Sequence, residues 1–279
     1  MSSPTADSVT ELKRRYQDVM KRAADAAERS GRRAEDVLVV AVTKFATPEI
    51  IRALVDLGHA DFGESRVQQL AQRAPIINEF LARKRTLARA LPDDKTTAPQ
   101  RIRWHMIGHL QRNKVKQVVP VCDLVHSVDS LRLAEELHNF GARTDRVVDM
   151  LIQVNMAGEE QKSGIAPPAV VHLAEQIDSM MHLRLRGMMM IAPQADDPES
   201  LRPLFQRTRE LFDDIKKESF IGRHFNILSM GMTDDFEVAI EQGANVVRVG
   251  RAIFGDTPDG EDAGAPGSGA PGRDASEGD

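Results

Sequence analysis

Lys44 stands one residue, Thr43, beyond the first strongly apolar run of the chain, Val37 to Val42. Two glycine-bearing turns, Ser229-Met230-Gly231-Met232-Thr233 and Arg248-Val249-Gly250-Arg251, follow two later runs. An amine at the end of a core strand is partly withdrawn from water, which favours the neutral form that condenses with a carbonyl to an imine. Taken alone, a lysine after a strand is most often a solvated loop residue. Glycine turns let backbone N–H groups approach an anion closely, so these two turns form a candidate phosphate cradle, with Ser229 offering a hydroxyl and Arg251 a charge. They serve equally well as plain connections. Thr233, followed by Asp234 and Asp235, reads as a helix N-cap.

Arg248 alternates with Val247 and Val249, so its side chain points opposite to the valines, either into a barrel mouth or out towards helices. Inward, a ring nitrogen is a fitting acceptor. A guanidinium does not give up its proton, so such a ring stays unprotonated and is a weak electron sink, unlike the aminotransferase arrangement.

The elements that must position these groups alternate along the chain. Val9 to Ser30 has helical spacing and a glycine stop. Strand runs follow at 37–42, 60–63, 103–107, 124–128, 147–154, 183–191, 226–230 and 245–249, with helical patterns between them near 47–57, 67–90, 114–119, 131–140, 168–180, 201–218 and 236–242. Continuous β-branched runs are what parallel strands buried on both faces require. Eight of them predict an α/β fold, a single (βα)8 TIM-type barrel with an extra N-terminal helix. A doubly wound sheet is the alternative, but no Gly-x-Gly-x-x-Gly turn follows the first strand. The expected organisation is a flexible start at 1–8, a barrel domain at 9–255 and a disordered tail at 256–279. Segment 83–101, charged and weakly periodic, reads as a helix end with a surface loop.

Composition excludes other classes. With 279 residues and 41% hydrophobic content, the chain can bury a large core. No apolar stretch is long enough to span a bilayer, and the polar N-terminus lacks a signal-like core, so a cytoplasmic protein without membrane contact is expected. The single cysteine, Cys122, fits a reducing compartment. The formal charge is −5. Residues 256–279 hold five Asp, two Glu and one Arg, a net of −6, which leaves about +1 for the rest. Such a body offers no basic footprint for nucleic acid. The pair His105 and His109 has no third ligand at recognisable spacing, so no metal is expected. The methionines of the strands read as barrel filling, with Met189 near the site.

The segments Val40-Ala-Val-Thr-Lys44 with Pro48, Asp61-Phe-Gly-Glu-Ser-Arg-Val-Gln68, Trp104-His-Met-Ile-Gly-His-Leu-Gln-Arg-Asn-Lys114, Gly187-Met-Met-Met-Ile-Ala-Pro193, Leu228-Ser-Met-Gly-Met-Thr-Asp-Asp235 and Val247-Arg-Val-Gly-Arg-Ala-Ile-Phe-Gly255 occur in this order. Together, from about Leu12 to Gly255, they resemble the pyridoxal phosphate homeostasis protein family. The resemblance implies a barrel like the N-terminal domain of alanine racemase and pyridoxal 5′-phosphate (PLP) held as an imine on Lys44. It further implies phosphate contacts around Ser229, Gly231, Gly250 and Arg251, and Arg248 near the ring nitrogen, with Ser65 and Met189 beside the cofactor. The implied role is vitamin B6 balance without an established reaction, with apo PLP-dependent enzymes as candidate recipients and a monomer as the expected state. The sequence departs from the family in Ser65 where Asn is usual, in Arg251 where Thr is usual, and in a longer 83–101 segment.

The rival reading is a PLP-dependent racemase or decarboxylase, which needs a second base on the far face of the imine. The only tyrosine, Tyr16, sits on the first helix, and Cys122 precedes the fourth strand, so neither stands where that base is expected. A cofactor-free Schiff-base aldolase acting on a sugar phosphate also needs a lysine and a phosphate cradle, and predicts a colourless protein. A structural or interaction protein leaves the ordered motifs unexplained.

Overall fold

The structure is a computed structural model that describes residues 6–44, 46–90, 97–159 and 163–255. The start at 1–5 and the acidic stretch 256–279 lie outside the described residues. The eight expected strands form: β1 (Leu38–Val42), β2 (Asp61–Glu64), β3 (Arg103–Met106), β4 (Leu124–Val128), β5 (Val148–Val154), β6 (Leu183–Met190), β7 (Ile227–Ser229) and β8 (Val246–Val249). They pair in parallel and in chain order into a closed barrel. Closure is made by β1 on β8, with Leu38 opposite Val246 and Ala41 opposite Val249. Around it run α1 (Ala6–Arg29), α2 (Pro48–Asp56), α3 (Val67–Ala90), α4 (Val115–Val118), α5 (Leu131–Thr144), α6 (Val170–Asp178), α7 (Arg202–Lys216), α8 (Phe236–Glu241) and α9 (Arg251–Phe254).

The extra helix α1 packs against α8, α9 and α2. Its apolar face buries Leu12, Val19 and Ala23, while Arg22 and Arg29 reach Glu237 and Glu241 of α8. Segment 83–101 is tied down at both ends: α3 continues to Ala90, Arg85 donates to the Gln100 carbonyl (2.6 Å), and Thr97 Oγ1 donates to the Asp56 carbonyl (2.5 Å).

Each strand shows one face to the helices and the other to the lumen. Val39, Ala41, Phe62, Trp104, Met188, Met190, Val247 and Val249 belong to the large helix-facing core. The alternate residues line the lumen, where Leu124, Leu151 and Met189 form a separate small cluster with Ile227 against it. On β6 the alternation is reset by a bulge, because the pairing to β5 jumps from Leu185 to Gly187. Below it Leu183 and Leu185 pack on the helices; above it Met188 and Met190 do. Gly187 makes the reset possible, with φ +149° and a Cα packed so closely on Ile227 that a Cβ would overlap its carbonyl oxygen.

The rest of the lumen is polar and continuous. Arg103 donates through Nε and Nη2 to both Asp61 carboxylate oxygens (2.5 Å each). Asp61 Oδ1 lies 3.3 Å from His105 Nε2, His105 Nδ1 lies 2.9 Å from His126 Nε2, and His126 Nδ1 lies 3.0 Å from Ser229 Oγ. Arg248 Nη1 closes the series by donating to Ser229 Oγ (2.6 Å). Burial works against ionisation of Asp61, but the hydrogen bonds from His105 and Arg103 outweigh it and hold the carboxyl below its ordinary value. Burial, with His105 and Arg248 nearby, keeps His126 well below the usual histidine range and therefore neutral. With one proton on each imidazole and Asp61 able only to accept, the donors run one way: Arg248 to Ser229, Ser229 to His126, His126 to His105, His105 to Asp61.

Gly187→Ala is expected to cost on the order of 3 kcal/mol, read as a lower denaturation midpoint at unchanged slope. Asp61 has a depressed folded pKa, so its contribution is complete above the unfolded carboxyl value and is lost as pH falls through the folded one. Asp61→Asn is therefore expected to be about 1–3 kcal/mol less stable at pH 7, with the gap narrowing below about pH 4; a gap that stays constant from pH 7 to pH 3 would contradict the pairing.

Candidate functional site

At the carboxyl ends of the strands, where barrels of this type carry their sites, a cavity of about 420 Å³ opens. Lys44 lines it from the turn after β1, half-buried. That turn is bolted from below. Thr43 donates its amide to the Gly63 carbonyl (3.0 Å) and its hydroxyl to Glu64 Oε1 (2.6 Å). Arg73 of α3 forms an ion pair with the fully buried Glu64 and donates to the carbonyls of Thr43 (2.6 Å) and Ala46 (2.9 Å). Two carbonyls that bracket Lys44 are thus held by one guanidinium, while Thr47 caps α2 by accepting from the Ile50 amide. The sequence motifs contain Glu64, but nothing in the sequence alone pointed to Arg73, which arrives from the next helix.

Arg248 lines the same cavity from the adjoining strand β8, where it pairs in register with Val40 of β1 and the alternation aims it into the lumen. It is 3% exposed. Burial pushes its guanidinium down to about 10, with Asp235 opposing, so it is still a cation at neutral pH. Besides Ser229, its Nη2 donates to the Met190 carbonyl (2.8 Å).

The rim between them is built by the turns after β7 and β8. Thr233 lines the cavity, and its Oγ1 accepts from the Gly250 amide (3.4 Å). Asp235, whose carboxyl burial pushes up, accepts the Met232 amide (2.5 Å) and fixes the turn; the N-cap of α8 is Asp235, not Thr233. Arg251 also lines the cavity and pairs with Asp234 (2.6 Å) at the solvent edge.

Of the residues singled out in the sequence, Lys44, Ser65, Arg248, Gly250 and Arg251 line this one cavity. Ser229 lies beneath its floor, fully buried and engaged by Arg248 and His126. Gly231 packs against α8, where a Cβ would stand 2.6 Å from that of Ala239 at a φ of +96°. Met189 sits lower in the lumen with Leu124 and Leu151. Thr233 and His126 are the functional candidates that sequence reasoning missed; a signal for His126 was its place in Leu124-Val-His-Ser-Val128, a polar residue at a lumen position of a buried strand.

The cavity lining offers few groups that could take a proton. Among the described residues of the lining, Lys44 is joined by one carboxylate, Asp234, tied to Arg251. Tyr16 lies on α1 beside His59 (3.3 Å), and burial pushes the Cys122 thiol up to about 12. His109 is exposed beside Asp129. Among the described residues no cluster of three or more His, Cys, Asp or Glu could hold a metal ion, and no helix is long and apolar enough to cross a membrane.

Comparison with known proteins agrees with this architecture. Residues 13–258 match the family model described as alanine racemase, N-terminal domain. The chain is 34% identical over 242 residues to a pyridoxal phosphate homeostasis protein of Aquifex aeolicus, covering 87% of this chain and 96% of that one. It is 35% identical over 250 residues to the protein of the same name in Pseudomonas aeruginosa, covering 90% and 96%. Among solved structures, an unknown protein from Bifidobacterium adolescentis superposes with a TM-score of 0.82 at 33% identity, over 91% of this chain and 98% of that one. PipY of Synechococcus elongatus PCC7942, solved with PLP bound, gives 0.63 at 29% identity, over 79% and 93%. With a lysine-bearing cavity at the carboxyl face of an eight-stranded barrel and relatives matched along nearly their whole length, the chain belongs to the pyridoxal phosphate homeostasis protein family, built on the alanine racemase N-terminal domain.

Proposed function

We propose that this protein binds PLP as an imine on Lys44 and serves intracellular PLP homeostasis without catalytic turnover. The observation that carries the reading is the placement, in one cavity, of the Lys44 amine and the buried Arg248 cation on adjoining strands, with the Thr233–Gly250–Arg251 rim beside them. The donor set suits the cofactor: an amine for the aldehyde, a cationic donor for the pyridine nitrogen, and a hydroxyl, a backbone turn and a guanidinium for the phosphate. The cavity volume lies within the range of small-molecule sites. In this reading Ser65 borders the ring and Ser229 acts on it through Arg248. Gly231 shapes the turn, and Met189 supports the floor.

Bound PLP supplies an electron sink, and Arg248 weakens it here by leaving the ring nitrogen unprotonated. The scarcity of proton acceptors around the cavity supports a holding role, as does the name shared by the relatives. Transfer of PLP to apo-enzymes, a monomeric state and a cytoplasmic setting complete the proposal; the lone, half-buried Cys122 fits a reducing compartment.

Purified protein loaded with PLP is expected to be yellow, with an absorption band that borohydride bleaches and that Lys44→Ala abolishes. A wild type that takes up no PLP would reject the assignment. Incubation of the loaded protein with single L-amino acids is expected to give no multiple-turnover racemisation or decarboxylation, and sustained turnover would return the protein to the enzymes.

A further inference from the structure

The lumen has a second end. At the amino ends of the strands lies a cavity of about 440 Å³ lined by Arg101, Arg103, Arg146, Arg184 and Arg186. Three carboxylates answer these five cations. Asp123 takes Arg101 and Asp61 takes Arg103. Asp149 is shared between Arg186 (2.6 Å) and Arg184 (3.4 Å). Arg146 has no carboxylate partner among the described residues. Five cations against three anions leave an excess of two positive charges on one concave surface, although the body of the chain outside its acidic terminal stretch carries only about +1. Such an excess, on planar donors suited to bidentate binding, matches a phosphate dianion.

This cavity is not isolated from the first. Arg103 and His105 line it, and they are one end of the hydrogen-bonded series whose other end, Arg248, lines the Lys44 cavity. We propose that the amino-end cavity is a second anion site, taking phosphate either free or as a small monoester, and that its occupancy is felt in the cofactor cavity through Arg103, Asp61, His105, His126, Ser229 and Arg248. An anion that draws Arg103 off Asp61 leaves the carboxylate to pull harder on the His105 N–H. Because the donors all run towards Asp61, each link polarises the next, and the Ser229 oxygen becomes a stronger acceptor for Arg248. The anion site stands by itself; its effect on the cofactor rests on the PLP reading.

The test starts with PLP-loaded protein reduced by borohydride, so that the cofactor cavity is blocked to added phosphate. Inorganic phosphate and glycerol 3-phosphate are then titrated by calorimetry. Saturable binding is expected, at least tenfold weaker in Arg146→Gln/Arg186→Gln and several-fold tighter in Asp149→Asn, an opposite response that misfolding would not produce. Tighter binding of glycerol 3-phosphate marks a monoester site, and tighter binding of inorganic phosphate marks a site for the free ion. No binding, or binding indifferent to both sets of substitutions, overturns the site. In unreduced loaded protein, phosphate is expected to shift the imine band, and His126→Phe or the milder His126→Gln is expected to abolish the shift while retaining amino-end binding. An unshifted band in phosphate-saturated wild type overturns the coupling. Absence of any imine band before reduction counts against the Lys44 reading alone, since the arginine dependence of the phosphate heat is measured separately.

Discussion

A guanidinium sealed inside a barrel must be answered by acceptors, and that one requirement organises the lumen. Arg248 is nearly inaccessible, yet it is still a cation at neutral pH. Leaving such a group unanswered costs several kcal/mol, so the surrounding strands supply Ser229 and the Met190 carbonyl. Ser229 in turn needs a partner for its own proton, and His126 provides it. The demand passes along His105 to Asp61, and there it ends on a carboxylate that Arg103 anchors where the barrel meets solvent. One buried charge at the carboxyl end thus fixes residue types on five different strands.

Much of the fold was legible in the sequence because parallel strands covered on both faces cannot alternate with polar residues. Val37 to Val42 and Asn245 to Val249 announce themselves as runs. What breaks those runs is the lumen, and there the sequence is harder to read. His126 interrupts an apolar stretch by one residue, which looks like tolerance of a polar side chain until the neighbouring strands are in register. Thr233 resembles a helix cap, since hydroxyl residues before acidic pairs commonly are, yet the cap is Asp235 and the threonine faces the cavity. Lys44 and Arg248 were visible because each sits at the end of a run or within one. Arg73 and Arg146 were not, because only tertiary contact brings a residue of α3 to the Lys44 turn, or one from the α5–β5 connection to the arginines of β3 and β6.

The two sides of the candidate site are held by different means, which bears on what it can do. The Lys44 turn is clamped by a buried ion pair and two carbonyl contacts from Arg73, so the amine is presented from a rigid base. The neighbouring rim depends on a backbone amide, a threonine and an exposed ion pair at Arg251 and Asp234. Exposed pairs contribute at most about 1 kcal/mol, so that rim can rearrange at low cost. A rigid Lys44 turn beside an adaptable rim suits the proposed holding and release of a phosphorylated ligand.

Enzymes on this barrel need more than an anchor, because acceleration comes from groups that act on the reacting atoms in the transition state. Here the buried cation at the cavity is an arginine, whose proton is not shared, and the one carboxylate among the described residues of the lining is already bound to Arg251. The same Arg248 that makes the lumen a continuous hydrogen-bonded column would therefore leave a ring bound above it electronically quiet. A proton-sharing group against a ring nitrogen, such as a carboxylate in place of Arg248, would break the series at its origin: Ser229 would lose its donor, while Asp61 would still orient His105 and His126. In the proposed reading, the continuity of the barrel interior and the holding of the cofactor without turnover both follow from the one side chain of Arg248.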